Sequence, residues 1–305
     1  MSNHIPLLLV KSLASKVGFQ DCGASKAERL PSDFFSNYLN LNYNASMLYL
    51  EKNIDKRLDP TLLLEGAKTI FSFVLSYNNG FKPDTELRIA SYALCNDYHK
   101  LIKSKLYLIA QQIKEIYPNF QFKICVDSVP IFEKIWAKKA KLGSIGKNSL
   151  FVSKDYGSKV LLGEIICNFE SDYCEVEDDD PCGNCDLCLN ACPNHAIDFN
   201  RNVNANLCIS FHTKINKGQI PHNIDTQHYI FGCDICLDVC PHNNKAYINR
   251  NEDMQPQKPI IDLLTKISQG SFTTSDLQIA RKTSGLEDIK YEKLLSNIAF
   301  ATRVK

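Results

Sequence analysis

Cys182-Gly-Asn-Cys185-Asp-Leu-Cys188-Leu-Asn-Ala-Cys192-Pro193 opens a stretch that closes, beyond Cys208, with Cys233-Asp-Ile-Cys236-Leu-Asp-Val-Cys240-Pro241. The first run has the spacing C-x2-C-x2-C-x3-C-P of bacterial ferredoxins, in which three thiolates hold one [4Fe–4S] cluster and the fourth reaches across to another. A tight loop aims three sulfurs at the corners of one cubane, and the proline then turns the chain away. The second run is one cysteine short, and Cys208 can supply the missing sulfur. The ligands then divide into Cys182, Cys185, Cys188 and Cys240 for one cluster and Cys192, Cys208, Cys233 and Cys236 for the other. Structural zinc also uses C-x2-C pairs, but three thiolates in one loop ahead of C-P suit it poorly. Disulfides need an oxidising compartment, and no export signal precedes them.

Outward from that stretch, the 305 residues suit about two domains. A hydrophobic fraction of 44% is ample for a buried core. Lys+Arg 35 against Asp+Glu 34 leaves a formal charge of +1, so any polyanion site is local and no global field draws the chain to nucleic acid or membrane. The amino terminus lacks a basic n-region and a small-residue cleavage site. No segment reaches the roughly 18 apolar residues of a membrane span. Thirteen cysteines without a leader point to a reducing cytoplasm in which thiolates bind metal.

Upstream, Leu8, Leu9, Leu13 and Val17 have helical spacing, and strands are expected over 69–76, 88–94, 120–126 and 160–166. A helix opens after Cys95-Asn-Asp-Tyr-His99, with Leu101, Leu106, Ile109, Ile113 and Ile116 as its apolar stripe. Gly163 marks a bulge or a close approach inside its strand. Asp127 ends a strand just before Pro130, where it either caps a proline-started helix over 130–141 or does chemistry. Leu142-Gly-Ser-Ile-Gly-Lys-Asn-Ser149 is a loop that lets a large ligand approach the backbone, and it is not a nucleotide P-loop. The acidic run Glu175–Pro181 reads as a linker, and helical patterns return at Ile260–Ile267 and Leu294–Phe300. The division is therefore 1–173, mixed α/β; 174–250, the cysteine-bearing domain; and 251–305, a helical tail. This order suits an electron relay feeding an attached active site.

Several stretches resemble the epoxyqueuosine reductase family: Asp55-Lys-Arg-Leu-Asp-Pro60, Asn96-Asp-Tyr-His-Lys100, Val126 through Ser149, Tyr156-Gly-Ser, Leu162-Gly-Glu-Ile, Cys208-Ile-Ser210, Phe231 through Cys236 and both cysteine runs. The resemblance extends from near residue 10 into the tail. It implies an α+β fold: a cobalamin-binding domain of the reductive-dehalogenase and nitroreductase type, a ferredoxin-like domain with two [4Fe–4S] clusters, and the helical tail. It also implies reduction of the epoxide of epoxyqueuosine at the tRNA wobble position, with electrons from an external donor. Asp127 matches the family's proton-donating aspartate, its pKa raised by burial beside the corrin. Arg57, Cys95 and the loop residues Gly146, Lys147, Asn148 and Ser149 fall where the family lines its corrinoid, although a lone cysteine beside a strand is also ordinary core packing. The chain stops at Lys305, where longer members add helical repeats, which bears on how much tRNA is gripped.

For the tRNA, a lysine-rich stretch including Lys138, Lys139 and Lys141 is expected to meet phosphates, with His212 and Lys214 as further contacts. A solvated helix face explains the same lysines equally well. The expected enzyme is a cytoplasmic monomer. Its rivals are another corrinoid iron–sulfur reductase and a non-catalytic electron carrier, which would need neither Asp127 nor the lysine face.

Overall fold

The fold is that of a computed structural model, which describes residues 3–173 and 179–303. Most of the acidic run lies outside the described residues. Its end does not behave as a free linker, because Asp180 pairs with Arg201 at 2.7 Å and accepts the Cys182 N–H at 2.9 Å.

The front half runs through helix α1 (Leu7–Lys16), strands β1 (Asp21–Lys26) and β2 (Thr69–Ser76), helix α2 (Tyr98–Ile116), strand β3 (Phe122–Cys125), helix α3 (Glu133–Lys139) and strand β4 (Val160–Cys167). The four strands form one antiparallel sheet in the order β1-β2-β4-β3. Every residue of β2 is buried, as expected of an apolar run covered on both faces. On one face, α1 and α2 pack with Phe71, Phe73 and Ile165; on the other, Trp136 of α3 packs with Ile70, Cys125 and Ile166.

Gly163 is a close approach and not a bulge, since the β2–β4 register runs unbroken through it. A Cβ there would lie 2.5 Å from Ile102 Cγ2 and 3.1 Å from Leu106 on α2. The stripe of α2 is phased differently from the expectation: Ile102, Leu106, Ile109, Ala110 and Ile113 are buried, while Ile116 is 53% exposed. The strand expected over 88–94 shrinks to Arg88–Ile89, followed by a 3-10 turn over Ser91–Leu94. Helix α3 starts at Glu133, three residues after Pro130, with Phe132 as its N-cap.

The tail forms helices α4 (Lys258–Ser268), α5 (Thr274–Lys282) and α6 (Tyr291–Arg303). It is not an appendage. Leu263, Leu264, Leu277 and Leu294 share one apolar core with Leu87, Ile89 and Leu94 from the front half and Ile230 and Phe231 from the cysteine region. Strand Tyr229–Phe231 pairs in parallel with Arg88–Ile89, and Asn249 binds Ser76 O at 2.6 Å and Asn78 O at 2.7 Å. The three sequence segments therefore fold around shared interiors.

Substituting Gly163 with Val should destabilise the protein by about 1–3 kcal/mol through overpacking against α2. Denaturant unfolding checks this, with Gly218→Ala, where a Cβ meets only Asn216 Oδ1 at 3.4 Å, as the control for glycine loss.

Candidate active site and cysteine pockets

Asp127 follows β3 on a turn with φ of 49°, a left-handed conformation that non-glycine residues seldom adopt outside over-determined sites. It does not cap α3. Its carboxylate accepts hydrogen bonds from the Tyr98 hydroxyl and from His99 Nε2 at 3.1 Å, both at the start of α2. The other imidazole nitrogen, Nδ1, lies 2.9 Å from Asp97, which also caps α2 by accepting the His99 N–H. The Asp127 N–H donates to Glu133 Oε1 at 2.7 Å, so the first turn of α3 sits directly behind the aspartate.

These contacts invert the expected acid. Burial alone would raise the Asp127 carboxyl, but the hydrogen bonds from His99 and Tyr98 and the charge of Lys214 outweigh it and hold the pKa at about 2. Burial and the adjacent Asp127 charge push Glu133 up to about 8. Hydrogen bonding to Asp127 and Asp97 raises His99 against the opposing effect of burial. The contacts therefore favour charge on Asp127 and protons on His99 and Glu133. Asp127 remains at the lip, its side chain 43% exposed.

Around this lip the sequence expectations scatter. Arg57 belongs here: its Nη2 donates to Tyr49 O at 3.3 Å, its buried Nε has no partner among the described residues, and Tyr49 feels both Asp127 and Lys214. Lys214 lies within electrostatic reach of Asp127. It lies 5.2 Å over the Tyr92 ring, and its charge acts on Asp127. His212 is buried, with Nε2 2.8 Å from Asn206 O, and so cannot meet phosphate. Lys138, Lys139 and Lys141 are all partly buried, and Lys139 is paired with Glu28 at 2.8 Å. Cys95 is packed in the core with Sγ 3.2 Å from Met254 O, and burial pushes its thiol up to about 12.

The stretch expected as a glycine loop is a hairpin, Gly143–Ile145 against Phe151–Ser153. Its turn joins two regions. Lys147 N–H points at Cys182 Sγ, 3.3 Å away, and Lys147 Nζ binds Asp186 at 2.6 Å. At the other end Ser149 O accepts from Lys134 Nζ at 2.6 Å, next to Glu133. Gly146, Lys147 and Asn148 line a cavity of about 120 Å³ together with Cys182, Cys185, Cys188 and Cys240.

Cys192, Cys208, Cys233 and Cys236 form the second group. Cys208 feels Cys192, Cys233 feels both, and Cys236 feels Cys233 and Cys208. Cys236 also feels Cys188 of the first group, so the two sets adjoin. Among the described residues no three His, Cys, Asp or Glu side chains converge on one ion. Thiols ranged around a cavity suit a multi-iron cluster better than a single zinc with sulfurs about 2.3 Å from its centre.

Known proteins agree with this arrangement. A family model described as "Epoxyqueuosine reductase QueG, DUF1730" matches residues 57–128, and one described as a 4Fe-4S double cluster binding domain matches residues 181–243. An epoxyqueuosine reductase of Cyclobacterium marinum is 37% identical over 299 residues, covering 96% of this chain and 95% of that protein. The chain belongs to the epoxyqueuosine reductase family. Its fold is that of the family's solved members. The epoxyqueuosine reductase structure from Streptococcus thermophilus matches with a TM-score of 0.78 at 29% identity, covering 97% of this chain and 80% of that one. A family structure described as holding an epoxyqueuosine-modified tRNA-Tyr stem loop matches with a TM-score of 0.83 at 27% identity, covering 96% and 79%.

Glu133 and the roles of Tyr98 and of His99 as a bridge from Asp97 to Asp127 were not singled out from sequence, although Asn96-Asp-Tyr-His99 carries Asp97, Tyr98 and His99 in adjacent positions. The charged form of His99 strengthens the fold below the ordinary pKa of 6.5, and that contribution is lost as pH rises through its raised folded-state value. Nitrogen-detected NMR should place the His99 midpoint above 6.5, and Asp97→Asn should lower it.

Proposed function

We propose that this member of the epoxyqueuosine reductase family reduces tRNA-borne epoxyqueuosine to queuosine at the Asp127 lip, with electrons arriving through the two cysteine groups. The observation that carries the reading is the juxtaposition of two complete cysteine quartets with a polar lip on one continuous scaffold. A relay without attached chemistry would have no use for the Asp97–His99–Asp127 chain.

Epoxyqueuosine differs from queuosine by its epoxide oxygen, so the reduction takes up two electrons and two protons and the oxygen leaves as water. Cys182, Cys185, Cys188 and Cys240 would hold one [4Fe–4S] cluster and Cys192, Cys208, Cys233 and Cys236 the other. The Tyr49–Arg57 lip suits a corrinoid: Leu48 and Tyr49 are 59% and 51% exposed, which offers apolar surface to a flat macrocycle, and the unpartnered Arg57 Nε can donate to its polar substituents. Gly146 to Ser149 would then line the passage from the first cluster towards the lip. When bound, cobalamin supplies the low-potential electron chemistry that amino-acid side chains cannot.

The residues of the chain do the rest. Asp127 meets the epoxide oxygen and passes it the proton that His99 holds, with Asp97 keeping the imidazole ring oriented. Lys214 and Arg57 give the lip positive charge, favouring an anionic oxygen as the carbon–oxygen bond breaks. The modified base leaves the anticodon stack to reach this lip, and phosphate contacts elsewhere supply affinity. The reading places a monomeric enzyme in the cytoplasm, served by an external one-electron donor. Among the described residues, no helix is long and apolar enough to cross a membrane.

Asp127→Asn should lower turnover by about 10²–10⁴-fold. Its iron content should stay at the wild-type level of about eight atoms per chain. Nucleoside mass analysis and a metal count check both. Binding of epoxyqueuosine-bearing tRNA should weaken as salt rises, with log Kd linear in log salt, and Lys214→Ala should lose far more turnover than affinity; fluorescence anisotropy beside single-turnover assays separates the two.

A further inference from the structure

The turn of the hairpin over 143–153 is pressed against the loop that carries the first three cysteines of the cysteine-bearing region. The Ser149 N–H reaches Gly146 O at 3.0 Å, so Gly146 to Ser149 is a four-residue turn with Lys147 in its second position. The Lys147 N–H takes no part in closing that turn and points at Cys182 Sγ, 3.3 Å away. Gly146 permits the approach, since a Cβ there would already stand 3.2 Å from Val152 and 3.6 Å from Cys182 Sγ. The Lys147 side chain, 16% exposed, continues onto the same loop, where Nζ meets Asp186 Oδ1 at 2.6 Å.

A second side chain braces the hairpin in that place. Arg201 donates to Ile145 O at 2.8 Å and pairs with Asp180 at 2.7 Å, while Asp180 accepts the Cys182 N–H at 2.9 Å. Stability alone does not account for the course of the lysine, because an ion pair with a partner as open as Asp186, 42% exposed, contributes little. What sets the arrangement apart is its target: one residue directs both a peptide N–H and an ammonium at a loop of metal-binding thiolates.

A [4Fe–4S] cluster gains one negative charge on reduction, and its potential follows the hydrogen bonds to its sulfurs, the charge around it and its exposure to solvent. An N–H aimed at a ligand sulfur and a cation in the same loop both favour the reduced, more negative form. We infer that Lys147 raises the reduction potential of the cluster held by Cys182, Cys185, Cys188 and Cys240, through its N–H on Cys182 and its ammonium on Asp186. Lys147 acts through these groups and is a positioning residue. The inference rests on the ligand assignment above.

The step so tuned is the uptake of one electron from the external donor, which is oxidised as the cluster is reduced. The loop reaches the surface at Asn184 and at Leu187, 51% exposed, so a donor can approach this cluster, and a raised potential lets it load from a weaker reductant. The second group lacks the same device. Cys192 accepts the Ala196 N–H at 3.3 Å, but that bond comes from its own chain segment and brings no cation with it. The second cluster therefore serves as an internal control.

The test uses the full chain purified without oxygen and loaded with iron, each cluster's potential being read by electron paramagnetic resonance at poised potentials. The signal that Cys240→Ser alters or removes identifies the first cluster. Lys147→Gln leaves Asp186 uncompensated and should make that cluster about three- to tenfold harder to reduce, tenfold being about 59 mV for one electron. Lys147→Pro should lower the potential further than Lys147→Gln, since proline suits the second position of the turn but has no N–H. Asp186→Asn should move it by a similar factor in the opposite direction, and Lys147→Arg should stay near wild type. An ion pair that served only structure would not give opposite signs from its two halves. No shift in the first cluster, equal shifts in both clusters, or the same sign for Lys147→Gln and Asp186→Asn would overturn the inference. Should the glutamine and proline variants lose iron, Asp186→Asn decides, and a potential unmoved or lowered there overturns it. A wild-type chain that binds far fewer than about eight irons would instead sink the ligand assignment, and the inference with it.

Discussion

Eight consecutive residue pairs between β2 and β4, from Thr69↔Cys167 to Ser76↔Val160, fix nearly everything else in the front half. The ladder is covered on both faces, so its register cannot slip by one residue without exchanging the side chains of two different cores. One face takes α2 so closely that only glycine fits at position 163. The other takes α3, whose first turn brings Glu133 to the peptide of Asp127. The acid site is thus a consequence of how two helices are clamped to one strand pair.

Charge management follows from that clamp. Asp127, Glu133 and Glu164 lie within electrostatic reach of one another, and three carboxylates cannot all be ionised there. Tyr98, His99 and Lys214 stabilise the charge at the lip, so the Asp127 carboxyl is held low while Glu133 and Glu164 are pushed up. The turn at Gly146–Ser149 then links this acid site to the first cysteine group, one end against Cys182 and the other against Lys134.

Much of this was legible in the sequence. The cysteine spacings predict two four-sulfur sets, and the chain brings those same sets together. The strands at 69–76 and 160–166 were plain because their apolar runs are continuous. The strand at 88–94 failed because only two residues find a partner, the parallel strand Tyr229–Phe231, which lies far away in sequence. Helix α5 was missed although Thr273 and Asp276 form a reciprocal capping box, a signal readable from Thr-x-x-Asp spacing. Lys138, Lys139, Lys141, His212 and Lys214 looked alike as basic residues, yet burial, ion pairing and ring contact send them to three different environments.

By itself the sequence determined the ligand chemistry, the family and the single aspartate at the end of β3, because these depend on residue type and local spacing. Only the tertiary structure decided where the protons sit. A carboxyl's ionisation depends on its burial and on the donors that reach it, and those arrive from α2, α3, β4 and the residue at position 214, which no local pattern connects.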